Sequence, residues 1–192
     1  LPFATGVTVA EIQPPERDTV GASITFQIGE KVVYPNHGVG TIENISSRPF
    51  GNRLERFYLL RLSSNQLTVM VPFSHAGDVG LRRVTKNGEL TRVLQYLAEG
   101  RVKNPQDWKD RYKENCEKMN GGSITAIAEV FKSLLIVQAE KPLSFREKKM
   151  LDRARHMLIT EFCTSRGLRE NEAIELLEKA LQKSSLRFPA PM

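Results

Sequence analysis

At Asn87-Gly88 the apolar residues change period, and that change limits what the chain can fold into. Before it they come in short runs that alternate with polar residues, the period of a strand with one buried face. In "FQIGEKVVYP" Phe26, Ile28, Val32 and Tyr34 fall on one side. In "LTVMVPF" Leu67, Val69, Val71 and Phe73 alternate with Thr68, Met70 and Pro72. "GVGTIENIS" and "LERFYLLRLS" lie between these runs, and "VGLRRV" at 79–84 supplies a fifth strand. Loops of turn-forming composition, "PNHG", "RPFGN" and "SSNQ", separate them. Short strands packed this closely predict a small, strongly bent β-barrel of the SH3 or Tudor kind.

Beyond Gly88 the spacing becomes helical. A short helix is expected over 89–98. Asn104 can cap the next, with Pro105 at its first position and Asp107 in its first turn, and "NGG" stops it. A third starts at Ser123 and carries an apolar stripe of Ile124, Ile127, Ala128, Phe131, Leu134 and Leu135. "SFRE" has capping-box spacing and opens a fourth that runs to about Thr164; a fifth covers about 170–183. The expectation is a multidomain β + α protein. A flexible tail (1–25) precedes a Tudor-like domain (26–86), an all-helical domain of about five helices (87–184) and a second flexible tail (185–192).

Charge divides along the same line. The net charge is +6, yet residues 1–90 hold nine Lys/Arg against eight Asp/Glu, while residues 91–192 hold 19 against 14. A near-neutral β half joined to a basic helical half points to different partners for each, the second of them anionic. The two cysteines and three histidines show no metal-ligand spacing, and no cofactor is expected. "PNHGVG" has the makeup of a tight turn, and a lone GxG without a following helix makes a poor phosphate loop. Nucleophile-elbow, zinc-protease and phosphate-loop motifs are absent, so the chain reads as no enzyme, with no small-molecule substrate. No apolar run is long enough to cross a bilayer, no membrane partner is expected, and the scarcity of cysteine suits a cytoplasmic setting.

Two features carry the functional reading. On the fourth helix Met150, Leu151, Ala154, Met157, Leu158 and Phe162 share one face; Arg146, Lys148, Lys149, Arg153, Arg155 and His156 share the other, with only Asp152 among them. Such a face is either merely solvated or a phosphate-contacting surface, and neither implies base specificity. The second feature is the single tryptophan, Trp108, in "NPQDWKDRYKENCEKM". Trp108, Tyr112, Cys116 and Met119 have the spacing of an apolar stripe, which would bury the indole. Against this, Lys103, Lys109, Arg111 and Lys113 surround it near a helix start, and a ring flanked by cations can wedge against a base. The pattern leaves both open.

The stretches "FQIGEKVVYPNHGVG", "LTVMVP", "WKDRYKENCEKM", "AEVFKSL" and "LSFREKKMLDRARHML" resemble the CarD/CdnL family of bacterial transcription regulators, in the family's order, over about residues 26–181. The resemblance implies a Tudor-like domain that docks on the β subunit of RNA polymerase. It also implies a helical domain that touches promoter DNA, in the minor groove and on the backbone without sequence preference, and stabilises the open promoter complex. On this likeness Trp108 is the minor-groove wedge at the upstream edge of the melted region, with Lys113 and Lys148 as basic contacts. Lys109, Arg111, Arg146, Lys149 and Arg153 complete the expected DNA surface; Arg48 and Met70 are expected at the polymerase. Asp110 stands where some members carry arginine, and Met70 where some carry a basic residue. The 25-residue leader is longer than is usual in the family, and the lack of an AT-hook-like tail favours the short CdnL type, cytoplasmic and nucleoid-associated. The rival reading is a polymerase- or repair-associated interaction adaptor without direct DNA contact.

Overall fold

The computed structural model describes residues 25–103 and 107–192. The expected helix cap at Asn104, with Pro105 behind it, and the tail 1–24 lie outside the described residues. Five antiparallel strands come first: β1 (Lys31–Tyr34), β2 (Gly38–Phe50), β3 (Arg53–Leu62), β4 (Thr68–Pro72) and β5 (Arg82–Arg83). They form one sheet in the order β4-β3-β2-β1-β5, with a 3-10 turn, Phe73–His75, between β4 and β5. Five helices follow: α1 (Asn87–Glu99), α2 (Trp108–Gly121), α3 (Ile124–Glu140), α4 (Phe145–Arg166) and α5 (Glu170–Gln182). The change of period at Asn87-Gly88 thus marks the start of α1.

The β module closes over its own core of Phe26, Val32, Ile42, Tyr58, Leu60, Leu62, Val71 and Leu81. Tyr58 is the centre of this core. Its ring stacks on Phe73 at 3.9 Å between centroids and meets the Phe26 edge at 5.6 Å, while its hydroxyl accepts from the Phe26 N–H at 3.1 Å. The alternation read from Phe26 to Tyr34 does not hold throughout. A turn at 27–30, with Gly29 at φ 86, swings Ile28 into solvent, and both Val32 and Val33 are buried. Leu67 is likewise exposed ahead of β4. "RPFGN" is not a loop either: β2 continues through Phe50 and only Gly51-Asn52 turn, with Gly51 in the left-handed region at φ 61.

The helical module packs around α3, which is buried on nearly every side and supplies Ile127, Val130, Phe131 and Leu134 to the core. Its one buried cation, Lys132, donates to the carbonyls of Tyr96, Leu97 and Gly100 at 3.0, 2.8 and 2.8 Å. The ammonium therefore caps the C-terminal end of α1, where orphan carbonyls need a donor. Ser144 and Glu147 form the expected capping box at the start of α4. The expected tail 185–192 carries no helix or strand, and it lies against the module: Phe188 packs on Phe131, and Arg155 donates to the Pro189 carbonyl at 3.0 Å.

The two modules meet at a buried ion pair. Arg82 of β5 grips Glu161 of α4 with two bonds of 2.7 and 2.9 Å and donates to the Gly122 carbonyl at 2.9 and 2.7 Å. Glu161, only 1% exposed, also accepts from the Thr85 N–H at 2.9 Å and hydroxyl at 2.5 Å. Beside this clamp Pro35 packs on Gly122 so closely that an added Cβ would lie 2.8 Å from Pro35 Cγ. Asn36 donates to Asn120 at 2.6 Å across the same junction. The end of α2 is therefore seated directly on the β1–β2 turn.

Candidate nucleic-acid interface

Asp107 begins α2: its carboxylate accepts from the Lys109 N–H at 2.8 Å, and Trp108 becomes the first helical residue. An N-cap aspartate stabilises a helix start by taking up one of its orphan donors. The first position also explains where the indole goes. It has no preceding turn to lean on, and it is 53% exposed. The buried stripe of α2 is instead Arg111, Asn115 and Met119 at i, i+4 and i+8, one residue round from the apolar stripe read in the sequence. Trp108, at the helix start ahead of that stripe, is open to solvent with Lys109 Nζ 5.9 Å from the indole centroid, and Tyr112 is half-buried beside it.

Arg111 is a correction to the expected DNA surface. It is 4% exposed, and its guanidinium bonds Glu147 of α4 at 2.9 Å. A guanidinium enclosed in this way holds helices together and has no surface to offer a phosphate. The Glu147 carboxyl feels burial, which raises its pKa, but the opposing contacts from Arg111 and from the Ser144 N–H and hydroxyl outweigh it and hold the group below its usual range. A folded-state pKa below the unfolded one contributes stability above the unfolded value of about 4.3, lost as pH falls through the folded value. Glu147→Gln should therefore melt at a lower temperature than the parent chain at pH 7. The gap should narrow as pH drops below about 4 in melts followed by circular dichroism.

The Arg111–Glu147 pair also sets the first turns of α2 and α4 side by side, and this exposes a residue missed in the sequence. Phe145 is the first residue of α4, 66% exposed, with Lys149 Nζ 4.6 Å from its ring centroid. Trp108 and Phe145 thus occupy equivalent places on adjoining helices, each a solvent-facing ring with a lysine against it. A rule was available: an aromatic between N-cap Ser144 and a basic run has no intrahelical neighbour to bury it. Between α2 and α4 runs a groove of about 260 Å³, lined by Tyr112, Cys116, Met119, Arg146, Lys149, Met150 and Arg153, together with Asn36 and Asn120 of the module junction.

The remaining basic residues divide. Lys109, Lys113, Arg146, Lys149 and Arg153 are all exposed; Lys109 and Lys149 lie against the two rings, and Arg146, Lys149 and Arg153 line the groove. Lys148, also exposed, lies round α4 beside Asp152 and the C-terminal segment, where it lines a different hollow. Arg155 is taken up by Phe188 and Pro189.

On the β module, Arg48 of β2 sits opposite Glu55 of β3, and Met70 of β4 opposite Leu59. Both partners alternate with the buried Tyr58 and Leu60, so Arg48 and Met70 share the outer face of the sheet. Half-buried Phe57 and Leu59 lie between them, and Phe50 stands 73% exposed at the hairpin end of the same face. Among the described residues, strand β4 is an edge strand that pairs with β3 alone. Among the described residues no group of three or more His, Cys, Asp or Glu is placed to hold a metal ion, and no helix is long and apolar enough to cross a membrane.

A β module with an open apolar-and-basic outer face, clamped to a helical module with a cationic aromatic edge, defines a two-module protein with two separate candidate binding surfaces. Family comparisons match each module separately. Residues 26–85 fit the CarD-like/TRCF RID domain, the RNA polymerase-interaction domain, and residues 92–178 fit the CarD C-terminal domain. The chain is similar to the putative transcription factor YdeB of Bacillus subtilis, 37% identical over 147 residues, which covers 77% of this chain and 96% of YdeB. The chain belongs to the CarD/CdnL family of transcription regulators. That family is one of transcription factors and no known enzyme class.

Proposed function

We propose that the chain docks on the β subunit of RNA polymerase through the outer face of its sheet and stabilises the open promoter complex through the aromatic edge of its helical module. The observation that carries this reading is the half-exposed Trp108 at the head of α2, with cations against and around it. An indole held out in this way fits a widened or distorted minor groove better than a closed duplex, because insertion needs unstacked bases. Phe145 and Lys149 add a second ring and cation to the same edge. Contacts of this kind are sequence-tolerant: cations meet phosphates and rings meet any base.

Docking does the rest. Arg48, Met70, Phe57 and Phe50 offer a mixed basic and apolar surface for the polymerase, and the Arg82–Glu161 clamp carries the helical module along with it. Tethering turns weak DNA contacts into effectively intramolecular ones, so none of them needs to be tight alone. The chain then acts in the cytoplasm, at the nucleoid. The test is the dissociation rate of open complexes formed by purified polymerase, measured with and without the protein, alongside permanganate footprinting of the melted strand. A slower decay and a more persistent footprint are expected. Equal decay on several promoters, with the protein still bound to polymerase, would leave only the adaptor reading.

A further inference from the structure

The groove between α2 and α4 has a use that the wedge leaves unassigned. Its apolar lining comes from Met119, Met150 and the ring of Tyr112. Three cations line it, Arg146, Lys149 and Arg153, and none is in an ion pair among the described residues. Cations crowded along one opening repel each other until an anion arrives. The volume, about 260 Å³, falls at or below the small end of the range for small-molecule pockets. A slot lined by a ring, thioethers and cations matches the chemistry of a single nucleotide, with its flat base inside and its phosphate outside. An acidic peptide would satisfy the cations but leave the ring and the thioethers without a partner.

Two amides in the lining add polar definition. Asn36 and Asn120 are joined by a single bond, from Asn36 Nδ2 to Asn120 Oδ1 at 2.6 Å. Asn36 Oδ1 and Asn120 Nδ2 are the atoms left over, an acceptor and a donor on two residues that line the groove. From this arrangement we infer that the α2–α4 groove binds one unpaired nucleotide of the opened promoter, with the base stacked on Tyr112 and its phosphate held by Arg146 and Arg153. The inference rests on the reading that the helical edge contacts melted DNA, and it gives that contact a second point beyond Trp108. It also assigns the junction amides, Asn36 and Asn120, to the base rather than to module docking alone.

The experiment uses the full chain and fluorescent fork DNA, a duplex with a short unpaired extension, read by anisotropy. Each unpaired base is removed in turn by an abasic substitution. The unmodified protein should lose about 5- to 150-fold in affinity when one particular base is missing, the range for a single aromatic–base stack. Tyr112→Ala should bind the intact fork with that loss already present and be indifferent to the abasic site. Tyr112→Phe keeps a ring and should recover the sensitivity, which separates stacking from damage to the fold. Arg153→Gln should weaken intact and abasic forks alike and lower the salt dependence. Trp108→Ala should weaken binding yet keep the abasic sensitivity. A flat abasic scan, or a Tyr112→Ala variant as sensitive as its parent, overturns the groove assignment. A Trp108→Ala variant that binds the intact fork as tightly as its parent, with the scan still positive, overturns the wedge and leaves the groove standing.

Discussion

Replacing Glu161 by alanine is expected to cost about 3–5 kcal/mol, the usual loss when one member of a buried ion pair is removed and the other stays behind. The residue left behind is Arg82, whose guanidinium would keep the Gly122 carbonyl and the Thr85 hydroxyl but lose both carboxylate bonds. The Thr85 N–H, paired only with Glu161, would be orphaned as well. Because Arg82 retains some access to water, the lower end of the range applies. At about 2–4 °C of melting temperature per kcal/mol for a chain of this size, the drop should approach 10 °C. Differential scanning calorimetry reads it directly. The clamp joins the modules, so the variant should also show its β and helical transitions drawing apart. Glu161→Gln should fall between the two, since an amide still accepts from Thr85 and lacks the charge. A melt within a degree or so of the parent would mean that water satisfies Arg82 at the junction and that the modules are held by packing alone.

The elements that could be read in advance were those whose signal is local. The Ser144-to-Glu147 capping box, the Ser123 start of α3 and the switch to helix after Asn87-Gly88 depend on residues within a turn of each other. Ile28 and Leu67 were misplaced because alternation assumes a continuous strand, and a turn at Gly29 breaks one run before β1 begins. The junction was invisible for a different reason. Glu161 lies within the apolar face of α4, and its partners are 79 and 76 residues away in the chain, a pairing no local pattern records. The same holds for Arg111, placed on the outside because arginines usually are, and buried because α4 brings Glu147 to it. Trp108 stands three residues before Arg111 and seven before Asn115, on the same side of α2 as the buried stripe, and it is exposed because the helix begins with it. The exposure of the indole therefore depends on where the helix starts, which the Asp107 cap fixes.

That dependence shapes the effect of Trp108→Ala. The ring is about half exposed, and it is neither among the buried residues of α2, which are Arg111, Asn115 and Met119, nor its cap, which is Asp107. The variant should melt close to the parent and bind polymerase equally well. What it loses is whatever the indole does in the open complex. A bound group moves the opening equilibrium only by the difference between its affinities for the open and closed states. Stacking of one aromatic on a base contributes about 1–3 kcal/mol, and a closed duplex offers the ring no such contact, so nearly all of it counts toward opening. The open-complex lifetime should accordingly shorten by about 5- to 150-fold, with the rate of formation changed less. Trp108→Phe should keep part of the effect, because a smaller ring still stacks. Filter binding or a competitor challenge on a long-lived promoter measures the lifetime. Identical lifetimes with and without the indole would mean that the cations along α2 and α4 hold the DNA unaided, and the exposed ring would then have to face a protein surface instead.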